Sequence, residues 1–98
     1  MHEINIHLNS AQIILLLVSP DFLASEYCYG DEVERAMKRH EAGEAIVIPI
    51  ILRPVEWEDT PFSKLQPLPT DGRPATRWRN LDEAFLDIER GIRKAIKG

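Results

Sequence analysis

Six consecutive apolar residues, Ile13-Ile14-Leu15-Leu16-Leu17-Val18, end abruptly at Ser19-Pro20. Every member is leucine or β-branched, and no polar residue interrupts the run. A strand with one wet face would alternate, so this pattern predicts a strand buried on both faces, as in a parallel sheet covered by helices. Ser19 is suited to cap a short helical turn that has Pro20 at its first position. A second helix is predicted from Ser25 or Glu26 to about Ala42, stopped by Gly43, with Asp31 and Glu32 near its start. Strand, loop and helix in that order form the place where open α/β sheets put ligand sites.

A second apolar stretch, Ala45–Leu52, predicts another strand, although Pro49 interrupts its ladder of donors and implies an irregularity. Residues 53–75 form a long connection rich in Pro, Asp and Thr, with a short helix expected at Pro61–Leu65. Ala75–Trp78 suits a brief edge strand. Asn80-Leu81-Asp82-Glu83 has the form of a capping box. Beyond it Leu81, Phe85, Ile88, Ile92 and Ile96 trace one helical face to the carboxyl end. Residues 3–9 read as the last turns of a helix, with Ile4 and Leu8 on one side. Alternation of helix and strand means α/β with parallel strands.

Bulk properties exclude several classes. The chain has 98 residues, 44% apolar and 29% charged, which is ordinary for one globular domain or part of one. A net charge of −4 does not suit nucleic acid. The bases Arg35, Lys38 and Arg39 lie among the acids Glu34 and Glu41 and read as a solvated helix face, with Glu34 and Lys38 as an i,i+4 pair. The single cysteine, Cys28, excludes an internal disulfide and points to a reducing compartment. No apolar run approaches the roughly 20 residues of a membrane helix, and MHEINIHLNS does not resemble a signal peptide. A cytoplasmic protein with no membrane and no nucleic-acid partner is the expectation.

No metal site is expected. His2, His7 and His40 lack neighbours at ligand spacing; the first two fit a helix surface and His40 the end of a packed stripe formed by Tyr29, Val33, Ala36 and Met37. Cys28 and His40 lie about three turns apart on one predicted helix, roughly 18 Å, so they are not a nucleophile pair. No phosphate-binding glycine motif occurs. Asp31 and Glu32 favour a helix amino terminus whatever else they do. Tyr27 and Cys28 suit packing as well as a pocket.

The segment LLLVSPDFLASEYCYGDEVERAM resembles the middle of a bacterial TIR (Toll/interleukin-1 receptor) domain. The matching features are the hydrophobic strand Ile13–Val18, Ser19 after it, the aromatic-Cys pair Tyr27-Cys28 and the acid Glu32. AIVIPIILRPVEW (45–57), PFSKLQPLP (61–69) and the last helix add to the resemblance. It implies a flavodoxin-like, three-layer α/β fold with a parallel sheet, here an incomplete version of about three strands. Residues 1–98 would then be a partial domain, running from the end of its second helix through its last helix. The strand Ile13–Val18 would lack a neighbour, exposing backbone groups and apolar surface.

The resemblance also implies a function: cleavage of NAD⁺ to nicotinamide and ADP-ribose or a cyclic product, in immune or antiphage signalling. Glu32 would be the catalytic carboxylate, because Glu32-Val33-Glu34 keeps the acid–apolar–acid run of related helices; Asp31 is the lesser candidate, at the position four after the aromatic where many family members carry their glutamate. Ser19, Pro20, Asp21, Tyr27 and Cys28 would bind substrate. NAD⁺ is the substrate, and no cofactor or metal is implied. The alternative implied role is a non-catalytic module for self-association or for association with other TIR domains.

Overall fold

The computed structural model describes residues 3–8, 11–26 and 30–97. Its elements are β1 (Glu3–Leu8), β2 (Ala11–Val18), α1 (Pro20–Ala24), α2 (Asp31–Glu41), β3 (Ala45–Ile51), two 3-10 turns at Thr70–Gly72 and Ala75–Arg77, and α3 (Leu81–Lys97). The strands form one sheet in the order β1-β2-β3. β2 and β3 are parallel, in register from Gln12 opposite Ala45 to Val18 opposite Ile51.

Two apolar layers explain why Ile13–Val18 does not alternate. Ile14, Leu16 and Val18 pack with Phe22, Val33, Ala36 and Phe62 on the side of α1 and α2. Ile13 and Leu15 join Ile48 and Ile50 on the other side, where Ile88, Ile92 and Ala95 of α3 cover them. The result is a three-layer α/β arrangement, helix on sheet on helix.

The sheet is mixed, not wholly parallel. Residues 3–8 are a strand, antiparallel to β2 from Glu3 opposite Leu16 to Leu8 opposite Ala11, and not the end of a helix. Ile4 and Leu8 fit helical spacing, but Glu-Ile-Asn-Ile-His-Leu also alternates with period two. The open edge of a fully apolar central strand decides between the periods, because its backbone groups need partners. β2 therefore does not expose the edge its sequence implied; β1 occupies it.

The expected edge strand beyond β3 also differs. Ala75–Trp78 is not an edge strand: Ala75–Arg77 form a 3-10 turn, in which Arg77 and Trp78 N–H donate to the Pro74 and Ala75 carbonyls at 2.8 and 3.2 Å. Leu68 lies beside β3 instead, donating to the Pro49 carbonyl at 2.9 Å and accepting from Ile51 N–H at 2.7 Å. That geometry accounts for Pro49. Its carbonyl faces the outer edge, so its missing N–H is missing there too, and the ladder to β2 loses nothing. Pro61–Leu65 is a run of turns, with Ser63 N–H on the Thr60 carbonyl and Leu65 N–H on that of Phe62, and not a helix.

α2 begins at Asp31, after Gly30, later than Ser25 or Glu26. Ser25 instead closes α1, its hydroxyl donating to the Phe22 carbonyl at 2.7 Å. Asp31, Glu32 and Glu34 lie in the first turn of α2 and Lys38, Arg39 and His40 in the last, each sign matched to the helix dipole. Gly43, at φ 77°, ends the helix: Glu44 N–H bonds the Arg39 carbonyl and Gly43 N–H that of His40, the paired bonds of a Schellman stop. Val33 and Ala36 are buried as expected, with Met37 packed against them. Tyr29 lies outside the described residues.

His40 does end the stripe, and its ring has a definite task. Val47 N–H donates to His40 Nδ1 at 3.0 Å, so the neutral ring carries its proton on Nε2. Val47 is 2% exposed, and its N–H is on the outer edge of β3, where none of the described strands pairs with it. His40→Leu removes the acceptor while keeping an apolar side chain of similar size. It is expected to cost about 1–3 kcal/mol, the penalty of an orphaned buried donor, read as a lower urea midpoint. An unchanged midpoint would show that water replaces the ring.

α3 packs through a different face from the one its large residues suggest. Ala84 is buried and Ile88, Ile92 and Ala95 meet the sheet, whereas Leu81, Phe85 and Ile96 are 50%, 51% and 46% exposed. Gly91 sets this rotation: a Cβ there would lie 2.4 Å from Leu68 Cδ2. The helix rests its small residues on Leu68 and turns part of its apolar face outward.

Candidate active site

α2 runs back along the sheet. Arg39, near its end, reaches Gln12 at the start of β2. Glu32 is seven residues earlier, roughly 10 Å along the helix. It therefore sits toward the carboxyl end of β2, on the flank of β1, where Glu3 pairs with Leu16. Its side chain is exposed and borders two open depressions. The first, about 310 Å³, is lined by Glu26, Gly30, Asp31 and Glu32. The second, about 210 Å³, is lined by Glu32, Arg35, Ala36 and Arg39 on the helix and by Glu3, Asn5, Gln12 and Ile14 on the sheet.

A polar ladder floors the second depression. Arg39 donates to Gln12 Oε1, Gln12 Nε2 donates to Asn5 Oδ1 at 2.7 Å, and Asn5 Nδ2 donates to Glu3 Oε1 at 2.6 Å. Arg39 also approaches Glu44 at 3.9 Å. The expected Glu34–Lys38 pair forms at 3.4 Å on the exposed side, where such a pair contributes little. Reading residues 3–9 as a helix concealed this ladder. Its signal is the spacing of Glu3, Asn5 and His7 by two, with Gln12 in register after residues 9–10.

The other sequence-derived candidates are placed as follows. Ser19 Oγ accepts from Phe22 N–H at 3.3 Å and so caps α1, with Pro20 in its first turn and Asp21 exposed beside it. Among the described residues, none of these three lines either depression that Glu32 borders. Tyr27 and Cys28 lie outside the described residues. Asp31 shares the first depression with Glu32 but does not line the second. Among the described residues no group of His, Cys, Asp and Glu is arranged to hold a metal ion.

An ionised carboxylate in this position has two chemical uses. It accepts hydrogen bonds from a vicinal diol, and it stabilises positive charge that develops beside it. Asp31 adds a second carboxylate on one side and Arg35 a cation on the other.

Comparison with known proteins settles the family. The family model described as TIR domain matches residues 1–86. The chain belongs to the TIR domain family. The match takes in the whole sheet of this TIR domain, both depressions and the first turns of α3. An uncharacterized protein of Sinorhizobium fredii (strain NBRC 101917 / NGR234), y4lF, is 57% identical to this TIR domain over 89 residues. The alignment covers 91% of the chain and 28% of that relative, so the chain spans well under half of the relative's length. No solved structure gives a significant match. Among the described residues, no helix of the TIR domain is long and apolar enough to cross a membrane.

Proposed function

We propose that this TIR domain cleaves NAD⁺ between nicotinamide and ribose, with Glu32 as the catalytic carboxylate. The observation that supports this reading most is the position of Glu32. It is an exposed acid in the first turn of α2, toward the carboxyl end of the central strand, and it borders two depressions at once. When the C1′–N bond breaks, its electron pair goes to the nicotinamide ring and neutralises the pyridinium. C1′ is left with oxocarbenium character. Glu32 stabilises that charge and accepts from the ribose hydroxyls. Water then adds at C1′ and loses a proton, giving ADP-ribose, or a second nucleophile within the same molecule closes a ring. Nicotinamide leaves as a neutral molecule, so no acid catalyst, metal or cofactor is required. Ser19, Pro20, Asp21, Tyr27 and Cys28 are the proposed substrate-binding residues, and the setting is immune or antiphage signalling in the cytoplasm.

The direct test is incubation of the chain with NAD⁺ and chromatography of the products. Nicotinamide is expected in equimolar amount with ADP-ribose or a cyclic product. Intact NAD⁺ after prolonged incubation at high chain concentration contradicts the proposal.

One observation favours a second reading, association between copies of the domain. β1 is an edge strand of the sheet, and an edge strand is a template for pairing with another chain.

A further inference from the structure

We infer that β1 is a self-complementary edge through which two copies of this chain pair antiparallel, making one six-stranded sheet about a two-fold axis at Asn5. This rests on the association reading above and names its surface; it does not depend on NAD⁺ cleavage.

Leu52 N–H donates to the Val18 carbonyl at 2.9 Å, so Val18 and the alternate residues of β2 turn their backbone groups toward β3. Ile13 and Leu15 therefore turn theirs toward β1, where their partners are Ile6 and Ile4. It follows from strand alternation that Glu3, Asn5 and His7 direct their N–H and C=O groups to the outer edge.

An antiparallel copy must match these three positions with three of its own. Centring the pair on Asn5 is the arrangement that uses them all. Glu3 then stands opposite His7 of the second copy, and Asn5 opposite Asn5. Shifting the register by two residues loses one of the three matches and separates acid from base. On the other face of the same pair, Ile4 meets Ile6. Ile4 is 38% exposed in the single chain, and this contact covers it. A carboxylate opposite an imidazole, and β-branched residues opposite each other, are both favourable across a strand pair. The two-fold axis makes each contact occur twice.

The pairing also bears on the Glu32 depression. Glu3 and Asn5 line it together with Glu32, and they share a face with His7. In the paired sheet His7 of the second copy arrives beside Glu3, at the open side of that depression. Each depression gains a wall and an imidazole from the other copy. Strand-edge contacts of this size belong with the weak, transient interfaces, so assembly follows concentration.

Sedimentation equilibrium of the chain over a range of concentrations is expected to show a monomer–dimer equilibrium. His7→Glu sets like charges opposite each other twice and is expected to weaken the dimer about tenfold or more. Combining it with Glu3→Lys again sets an acid opposite a base and is expected to restore dimerisation. A second readout tests the register without relying on those variants. On a Cys28→Ser background, Asn5→Cys is expected to yield a disulfide-linked dimer under mild oxidation, since residues facing one another across such a pair are about 5.5 Å apart at Cα, within disulfide range. A monomer at every concentration overturns both the association reading and this surface. A dimer indifferent to His7→Glu, not restored by the reversed pair, or without the Asn5→Cys cross-link overturns the surface alone.

Discussion

Phe62→Ala is expected to lower stability by about 3–5 kcal/mol, the usual range for removing a fully buried aromatic ring. Phe62 is 0% exposed although it lies in an irregular connection. Its ring is 5.7 Å from that of Phe22, itself fully buried in the middle of α1. Around them pack Leu16, Val18 and Ile51 from the sheet, Val33 from α2, and Val55, Trp57 and Leu65 from the connection itself. Alanine leaves a ring-sized void in the layer that joins α1, α2, the sheet and the long connection. The surroundings cannot close it without moving elements that are held elsewhere. For a domain of this size each kcal/mol is worth about 4–8 °C, so the melting temperature should fall by at least about 12 °C. A fall under about 4 °C would mean that the connection is not anchored through this ring.

Glu32→Ala has the largest expected effect on chemistry. Under the proposed cleavage, nicotinamide release falls about 10²–10³-fold, the scale reported for deleting one group that stabilises transition-state charge. That loss corresponds to about 2.7–4 kcal/mol of barrier. The fold should hardly notice. Glu32 is exposed and its side chain makes no hydrogen bond or ion pair with the described residues. The only structural cost is one acid at a helix amino terminus, about 0.3–1 kcal/mol. Thermal melting and turnover measured on one preparation separate the two effects. Undiminished turnover with an unchanged melt removes Glu32 from the mechanism.

The sheet's core was legible because Ile13–Val18 and Ala45–Leu52 are apolar on both faces, and only a strand between two helical layers satisfies that. The stop of α2 was legible too, because Gly43 marks the one position there that must adopt positive φ. β1 was not. Six residues with Ile4, Ile6 and Leu8 fit either period, and what decides is a non-local demand: a neighbour for β2. The same kind of demand displaced the expected edge strand at Ala75–Trp78, where Leu68 bonds β3 first, and it rotated α3, where Gly91 allows Leu68 a contact no larger residue permits. Phe62 gave no periodic signal because a single anchor in a long loop has none. In the site, position after a strand and at a helix start marks Asp31 and Glu32 alike, and only the resemblance to TIR domains favours Glu32 between them. The polar ladder from Arg39 through Gln12 and Asn5 to Glu3 depends on the strand pairing and was lost with it.

The edge problem has moved rather than vanished. The sequence implied an open side on β2; β1 fills it and presents its own outer edge in turn. The alternation that made β1 hard to assign places Glu3 and His7 at equal distances from Asn5, and that symmetry fits the strand to a second copy of itself.

Under the proposed cleavage Glu32, rather than its neighbour Asp31, acts on the substrate. The most direct test compares initial rates of nicotinamide release from NAD⁺ by the unaltered chain, Glu32→Gln and Asp31→Asn, each at the same chain concentration. Both substitutions keep side-chain size and remove one negative charge from the same helix end. A loss of about 100-fold or more is expected for Glu32→Gln and near-normal release for Asp31→Asn. Near-normal release by Glu32→Gln, with the loss falling on Asp31→Asn, would contradict that role for Glu32.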